Sequence, residues 1–357
     1  MKAAVLYGKE DVRIEQVQTR PLQASEVRVS IEATLTCGTD LKVFKRGYHQ
    51  KMIVPPAVFG HEFAGVISEV ASPVSRINSL AAAAKDQSAI TWQVGDRVVV
   101  ANSGPCGNCY FCGKGQENLC DDLLFLNGAY AESIVVPARI VQKNMLRLHP
   151  STSFRDAALV EPLACVIQGV DDARLKANQR VLILGAGPIG LMFVAVAKNL
   201  GCEVLVAGRG EARLKAARQL GASRVIDVTR QNVFETAPSA LGPAPDVVIE
   251  AVGKPETWEA ALKLVRKGGL VNFFGGCPAG QNISLDTSQM HYSSLTLVAS
   301  FHHTPQTIRR ALELIELGVI RATDFVDGEC PLSRLPELFR SMTTGNRAVK
   351  TFIQVRE

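Results

Sequence analysis

Residues 181–190 read V-L-I-L-G-A-G-P-I-G: four apolar residues, then three glycines spaced G-x-G-x-x-G, then an apolar-periodic stretch from Ile189 to Leu200. The short apolar run bounded by glycine reads as a buried strand, and the 3.6-residue periodicity after it as a helix. In that setting Gly185 makes the tight turn, Gly187 lets a pyrophosphate approach the backbone, and Gly190 lets helix and strand pack closely. Pro188 and Ile189 open the helix, whose N-terminus favours negative charge. A lone G-x-G-x-x-G is weak evidence; this one sits in a complete βαβ unit.

Outward from this loop the same alternation continues. Strands are predicted at Arg180–Leu184, Glu203–Ala207, Arg224–Val228, Val247–Ala251, Leu270–Phe274 and Leu295–Ala299, with helices at Ile189–Leu200, Glu211–Leu220 and Glu256–Val265. Strands alternating with helices predict a parallel, doubly wound sheet of the Rossmann type. The chain before it has a different texture, short alternating runs such as Val27–Ile31, Ala64–Val70, Arg97–Val100 and Ala131–Val136, which read as a mostly antiparallel β domain. After Pro305 a helix to about Leu317 leads to a β-like tail, Lys350–Val355, able to rejoin that first domain. The expected division is therefore an α/β chain with a mostly-β domain over 1–160, completed by 303–357, and a dinucleotide-binding domain over 161–302. Residues 72–93 read as a long loop or short helix.

At the end of the second strand of such a domain, an acidic residue would accept hydrogen bonds from the ribose hydroxyls. Here the chain reads Ala207, Gly208, Arg209, Gly210. With no carboxylate to repel a 2′-phosphate, Gly208 is expected to make room for it and Arg209 to grip it with a guanidinium fork. Arg213, one helical turn on, is a second candidate, and Glu211 a weaker ribose partner. NADP is expected in preference to NAD.

Two sets of metal-ligand residues lie in the first domain. Cys106, Cys109, Cys112 and Cys120 form C-x2-C-x2-C-x7-C, a spacing that wraps one tetrahedral ion in four thiolates with no place for solvent. The alternative is disulfides or unrelated core cysteines. The second set is Cys37 in T-C-G-T-D, His61 in G-H-E and Glu161 in E-P-L-A-C, with Glu62 the rival carboxylate. A thiolate, an imidazole and a carboxylate make a three-ligand zinc site with an open position. There zinc acts as a Lewis acid on an alcohol, and the Thr39 hydroxyl is placed to accept the substrate proton and pass it on through the cofactor ribose. Taken singly, Cys37 and His61 would more often be ordinary core residues; their joint occurrence with the lobe and the nucleotide fold argues for two zincs.

The bulk properties agree. The 357 residues are enough for two cores, with 47% hydrophobic residues. The net charge of +5 comes from 39 basic and 34 acidic residues without a run of five like signs, which leaves no nucleic-acid or membrane footprint. No secretory-type leader and no apolar run near the ~20 residues of a membrane span is visible. A cytoplasmic protein with reduced thiols is expected.

These residues together resemble the zinc-dependent medium-chain alcohol dehydrogenases, especially the sorbitol and threonine dehydrogenase branch. Gly60, His61, Glu62, Gly65, Ala71 and Val74 fit that family's G-H-E-x2-G-x5-[GA]-x2-[IVSAC] signature, Cys106–Cys120 its structural-zinc lobe, and Gly185–Gly190 its cofactor loop. The resemblance implies a GroES-like catalytic domain, a Rossmann domain, and a dimer or tetramer. It implies Cys37, His61 and Glu62 or Glu161 as catalytic-zinc residues, with Thr39 in a proton relay. A glutamate like Glu161, where other members carry a second cysteine, favours hydroxylated substrates. One departure is Lys42, where many relatives have a proton-passing histidine; it is read as a ribose or anionic-substrate contact or as a solvated lysine. His302 and His303 are read as loop residues near the domain junction, and Gly128–Glu132 as bordering the substrate. The expected activity is interconversion of a secondary alcohol (polyol, sugar or hydroxy-amino acid) and its ketone, with an L-threonine 3-dehydrogenase-type enzyme and a non-catalytic nucleotide-binding zinc protein as the alternatives.

Overall fold

A computed structural model describes residues 1–49, 51–71, 91–230, 243–345 and 348–356, so most of the 72–93 segment lies outside the described residues. The chain divides into two units, one of residues 1–161, 304–316 and 326–357, the other of 162–303 and 317–325. Residues 317–325 thus cluster with the second unit, not with the first as expected from sequence.

The first unit is organised by the strand Val27–Leu35, V-R-V-S-I-E-A-T-L, whose odd-numbered residues are fully buried. This is the period-2 pattern of a half-buried strand. It pairs antiparallel with Glu62–Val70, Ser133–Val136 and the C-terminal strand Lys350–Gln354. Arg97–Val100 adds to the far side of Glu62–Val70, and Val326–Pro331 lies parallel to the C-terminal strand. A hairpin of Lys2–Gly8 and Asp11–Gln16, with no distinct sequence signal, forms a separate small sheet. Phe44, Phe59, Tyr130 and Phe339 fill the core as an aromatic cluster, with Phe59 edge-on to Tyr130 at 5.0 Å. Such pairs add about 0.5–1.5 kcal/mol beyond their buried area.

The second unit is a six-stranded, all-parallel sheet. Its spatial order is Arg224–Asp227, Glu203–Gly208, Arg180–Leu184, Val247–Glu250, Leu270–Phe273 and Thr296–Ala299, the 3-2-1-4-5-6 order of a Rossmann fold. The predicted strands and helices of this unit are found within one residue at each end. Val181–Leu184 is buried on both faces, as a parallel sheet covered by helices requires. The helix Pro188–Asn199 buries Gly190 through Ala197 without interruption, which explains why its sequence is apolar nearly all round.

Candidate active site

Leu35 is paired with Glu62 across the antiparallel strands, so the helix that begins after the first strand and the loop that enters the second emerge at one end of the sheet. That register brings Cys37 and His61 together. Cys37 is the N-cap of the helix Gly38–Arg46: its thiol accepts from the Thr39 N–H at 3.4 Å, and Asp40 accepts from the Cys37 N–H at 3.3 Å. This reciprocal box satisfies two otherwise unpaired donors and fixes where the sulfur points. The other oxygen of Asp40 lies 2.9 Å from His61 Nδ1. Because a carboxylate only accepts, His61 donates its Nδ1–H and turns Nε2 outward. Tyr130 donates to Asp40 as well, at 2.5 Å.

Cys37, His61 and Glu62 each place a ligand atom within 4.8 Å of the other two. Glu62 is fully buried. One of its oxygens is bound by the ammonium of Lys350, and the other, Oε1, has no hydrogen-bond partner. An orphaned carboxylate oxygen in the interior is costly unless a cation completes it. Burial works against charge on His61, but Asp40 and then Cys37 raise its pKa well above the ordinary value. The surroundings are thus arranged for a positive charge between thiol and imidazole, and a thiolate, imidazole and carboxylate suit zinc. Glu161 is buried but stands outside this 4.8 Å set; burial pushes its carboxyl up to about 7, against the pull of His61. Thr39 is half-buried beside Cys37. Lys42 is exposed on the same helix and makes no ion pair among the described residues.

Lys350 and Asp40 are absent from the sequence-based set, and Tyr130 figures in it only within Gly128–Glu132. Lys350 is 2% exposed, donates to Thr36 O at 3.1 Å and joins Glu62. Burial opposes its charge, but Glu62 and Cys37 more than offset this and raise its pKa. Asp40 had a legible signal, since C-x-x-D before an apolar-periodic run has the form of a capping box. Lys350 is nearly the whole chain away from its partner and carries no local signal.

The four-cysteine lobe closes as the spacing predicts. None of the nine cysteines is in a disulfide, and the four sulfurs of the lobe lie within 4.8 Å of one another. The Cys106–Cys112 and Cys109–Cys120 sulfurs are each 3.9 Å apart, close to the roughly 3.8 Å edge of a tetrahedron with ~2.3 Å metal–sulfur bonds. Backbone N–H groups of Cys112 and Asp121 lower the Cys109 thiol to about 6, while burial pushes Cys112 up to about 12.

In the second unit, Gly185 has φ +116°, and a Cβ on Gly190 would stand 1.9 Å from Gly185 O. Nothing lies within 4 Å of a Cβ on Gly187, so its backbone is open to approach. Gly208 has a further task in packing. It is the last residue of its strand, and the space its missing side chain leaves is taken by Ala186, 2.5 Å from a would-be Cβ. It serves the packing of loop on strand. Arg209 is exposed just beyond it, and Arg213 is half-buried one turn into the next helix. The rings of His302 and His303 lie 3.9 Å apart between centroids, tilted by 33°.

Residues 23–145 match the alcohol dehydrogenase GroES-like domain family, and residues 188–316 the zinc-binding dehydrogenase family. Sorbitol dehydrogenase of Bombyx mori is 31% identical, covering 99% of this chain and 98% of its own. L-threonine 3-dehydrogenase of Pyrococcus furiosus is also 31% identical, over 99% and 97%. Among solved structures, a zinc-binding dehydrogenase from Sinorhizobium meliloti 1021 bound to NADP superimposes with a TM-score of 0.85 at 28% identity, covering 99% of this chain and 98% of that one. With ligand sets, glycine loop, sheet order and full-length relatives in agreement, this chain belongs to the zinc-dependent medium-chain alcohol dehydrogenases, in the sorbitol and threonine dehydrogenase branch.

Proposed function

We propose that the protein is a zinc-dependent, NADP-preferring oxidoreductase that interconverts a secondary alcohol, of the polyol, sugar or hydroxy-amino acid class, and its ketone. The observation that carries this is the buried Cys37–His61–Glu62 set with its orphaned Glu62 oxygen, in a chain that also has a dinucleotide loop. A zinc held there would supply Lewis acidity toward the alcohol oxygen, and a bound nicotinamide would supply the hydride-accepting chemistry.

The chain's own residues do the rest. Asp40 orients His61 and fixes its tautomer. Lys350 holds one oxygen of Glu62 and leaves the other for the metal. Glu161 offers a second buried carboxyl as the rival ligand. Thr39 takes the substrate's proton. Lys42 is exposed, and is assigned to contact with cofactor ribose or an anionic group. The four-cysteine lobe holds a second, structural zinc, since four thiolates leave no open position. Gly185, Gly187, Pro188, Ile189 and Gly190 seat the pyrophosphate, and Arg209 with Arg213 meets the 2′-phosphate.

A homo-oligomer is supported by the outermost strand Thr296–Ala299, which among the described residues pairs only with Leu270–Phe273, and by the exposed Tyr292 and Phe301 near it. No helix among the described residues is long and apolar enough to cross a membrane; nine cysteines without a disulfide favour a reducing compartment such as the cytoplasm.

The test is NADP and NAD reduction, followed at the reduced-nicotinamide absorbance, with polyols, sugars, threonine and simple secondary alcohols, before and after chelation. The expected result is chelator-sensitive turnover of a polyol, faster with NADP. Threonine as the sole substrate would favour the threonine dehydrogenase alternative. Bound nucleotide with no metal-dependent turnover of any alcohol would favour the non-catalytic one.

A further inference from the structure

Tyr130 is fully buried, and its place is fixed by backbone and ring together. Its N–H donates to Phe59 O at 2.9 Å and its carbonyl accepts from Ala4 N at 2.8 Å. Its ring lies flat over Gly60, where a Cβ would stand 2.7 Å from the ring carbons, and Gly60 has φ +93°. The tyrosine is thus clamped to the residue that precedes the candidate ligand His61. Its hydroxyl is 2.5 Å from Asp40 Oδ2 and 3.2 Å from Leu35 O. A hydroxyl has one proton to give, and the shorter contact to the charged acceptor takes it.

Asp40 is 1% exposed and has three donors: the Tyr130 hydroxyl, the Cys37 N–H at 3.3 Å, and His61 through Nδ1 at 2.9 Å. The first two share Oδ2, and of these the phenol is much the closer. It holds one oxygen of the carboxylate so that the other faces the imidazole. We propose that Tyr130 is a positioning residue for the reaction: through its hydroxyl it fixes Asp40, and through Asp40 it sets the orientation and electron-donating strength of His61 toward the metal.

This rests on the assignment of Cys37 and His61 as metal ligands. Tyr130→Phe keeps the ring that fills the space over Gly60 and removes only the hydroxyl. The experiment is cobalt substitution of the wild type and of the Tyr130→Phe, Asp40→Asn and double variants. Three quantities are read: the visible spectrum of the cobalt, the rate of metal loss to a chelator, and kcat with the KM for NADP. Loss of an outer-shell partner typically costs about 10–100-fold in metal affinity or activity. For Tyr130→Phe the expected result is a changed cobalt spectrum, metal loss faster by roughly 10-fold and a comparable fall in kcat, with the KM for NADP unmoved. In the Asp40→Asn background the same change should add little, because the hydroxyl acts through the carboxylate.

A wild-type spectrum and exchange rate in Tyr130→Phe overturns the proposal, as does an effect undiminished by Asp40→Asn. A wild-type chain that takes up metal only in the four-cysteine lobe overturns the ligand assignment and this inference with it. A Tyr130→Phe variant that does not fold is recognised by loss of the lobe's own metal; the Asp40→Asn spectrum then decides, and its identity with wild type overturns the proposal.

Discussion

At the scale of single residues, the two units place charge differently. In the first unit, a carboxylate and an ammonium are buried together: Glu62 and Lys350 are 0% and 2% exposed, respectively. Desolvation of such a pair consumes much of its Coulomb attraction, but removing one partner leaves a buried charge and typically costs about 3–5 kcal/mol. Lys350→Met is therefore expected to destabilise the metal-free protein by about that amount in urea unfolding, and Lys350→Met with Glu62→Gln to recover most of it. A single variant as stable as the wild type would show that Lys350 does not hold Glu62. In the second unit the notable charge is exposed. Arg209 stands at the end of its strand without a carboxylate neighbour in A-G-R-G. A hydrogen bond to a charged group is worth about 1.5–3 kcal/mol, so Arg209→Ala should raise the KM for NADP by roughly 10-fold or more and leave that for NAD nearly unchanged. Equal losses for both cofactors would contradict its contact with a 2′-phosphate.

At the scale of elements, what is legible in the sequence follows from local pattern. The second unit's strands and helices can be placed to within a residue because each is a continuous apolar or 3.6-periodic run bounded by glycine, as at Gly185, Gly201 and Gly221. The first unit is harder. Val27–Ile31 is recognisable, but the strand runs on to Leu35 because Ala33 and Leu35 keep the alternation across Thr34. The cysteine lobe, Cys37 and His61 are legible from residue type and spacing, whereas the Lys350–Glu62 and Tyr130–Asp40 contacts are not: each joins distant parts of the chain. The packing task of Gly208 is equally hidden, since a neighbour as close as Ala186 leaves no mark in the sequence. Gly190 carries the element-scale prediction. An added methyl at 1.9 Å from Gly185 O must push the helix off its loop; overpacking of this kind costs about 1–3 kcal/mol, or roughly 10- to 100-fold in affinity. Gly190→Ala should weaken NADP binding by that factor in a fluorescence titration while both metal sites stay filled. Unweakened binding would mean that the loop does not seat the cofactor.

At the scale of the whole molecule, the chain builds a β unit, then a parallel-sheet unit, and then returns to finish the first. The return has chemical content, because the strand Lys350–Gln354 that pairs with Val27–Leu35 carries the lysine that holds Glu62. The catalytic unit is therefore incomplete without that strand. Its two proposed metal sites differ in the same sense. Four cysteine thiols gather in one set, while one thiol, one imidazole and one carboxylate meet in the other, with a buried carboxylate oxygen unsatisfied. The first arrangement suits a structural ion and the second a reactive one. The direct test is the zinc content per chain of the wild type and of Cys37→Ala, measured by elemental mass spectrometry on the protein used for NADP reduction. Two zincs falling to one, with turnover abolished and the lobe's metal retained, is the expected result. A wild type with a single zinc, or a Cys37→Ala variant that keeps its turnover, would contradict it.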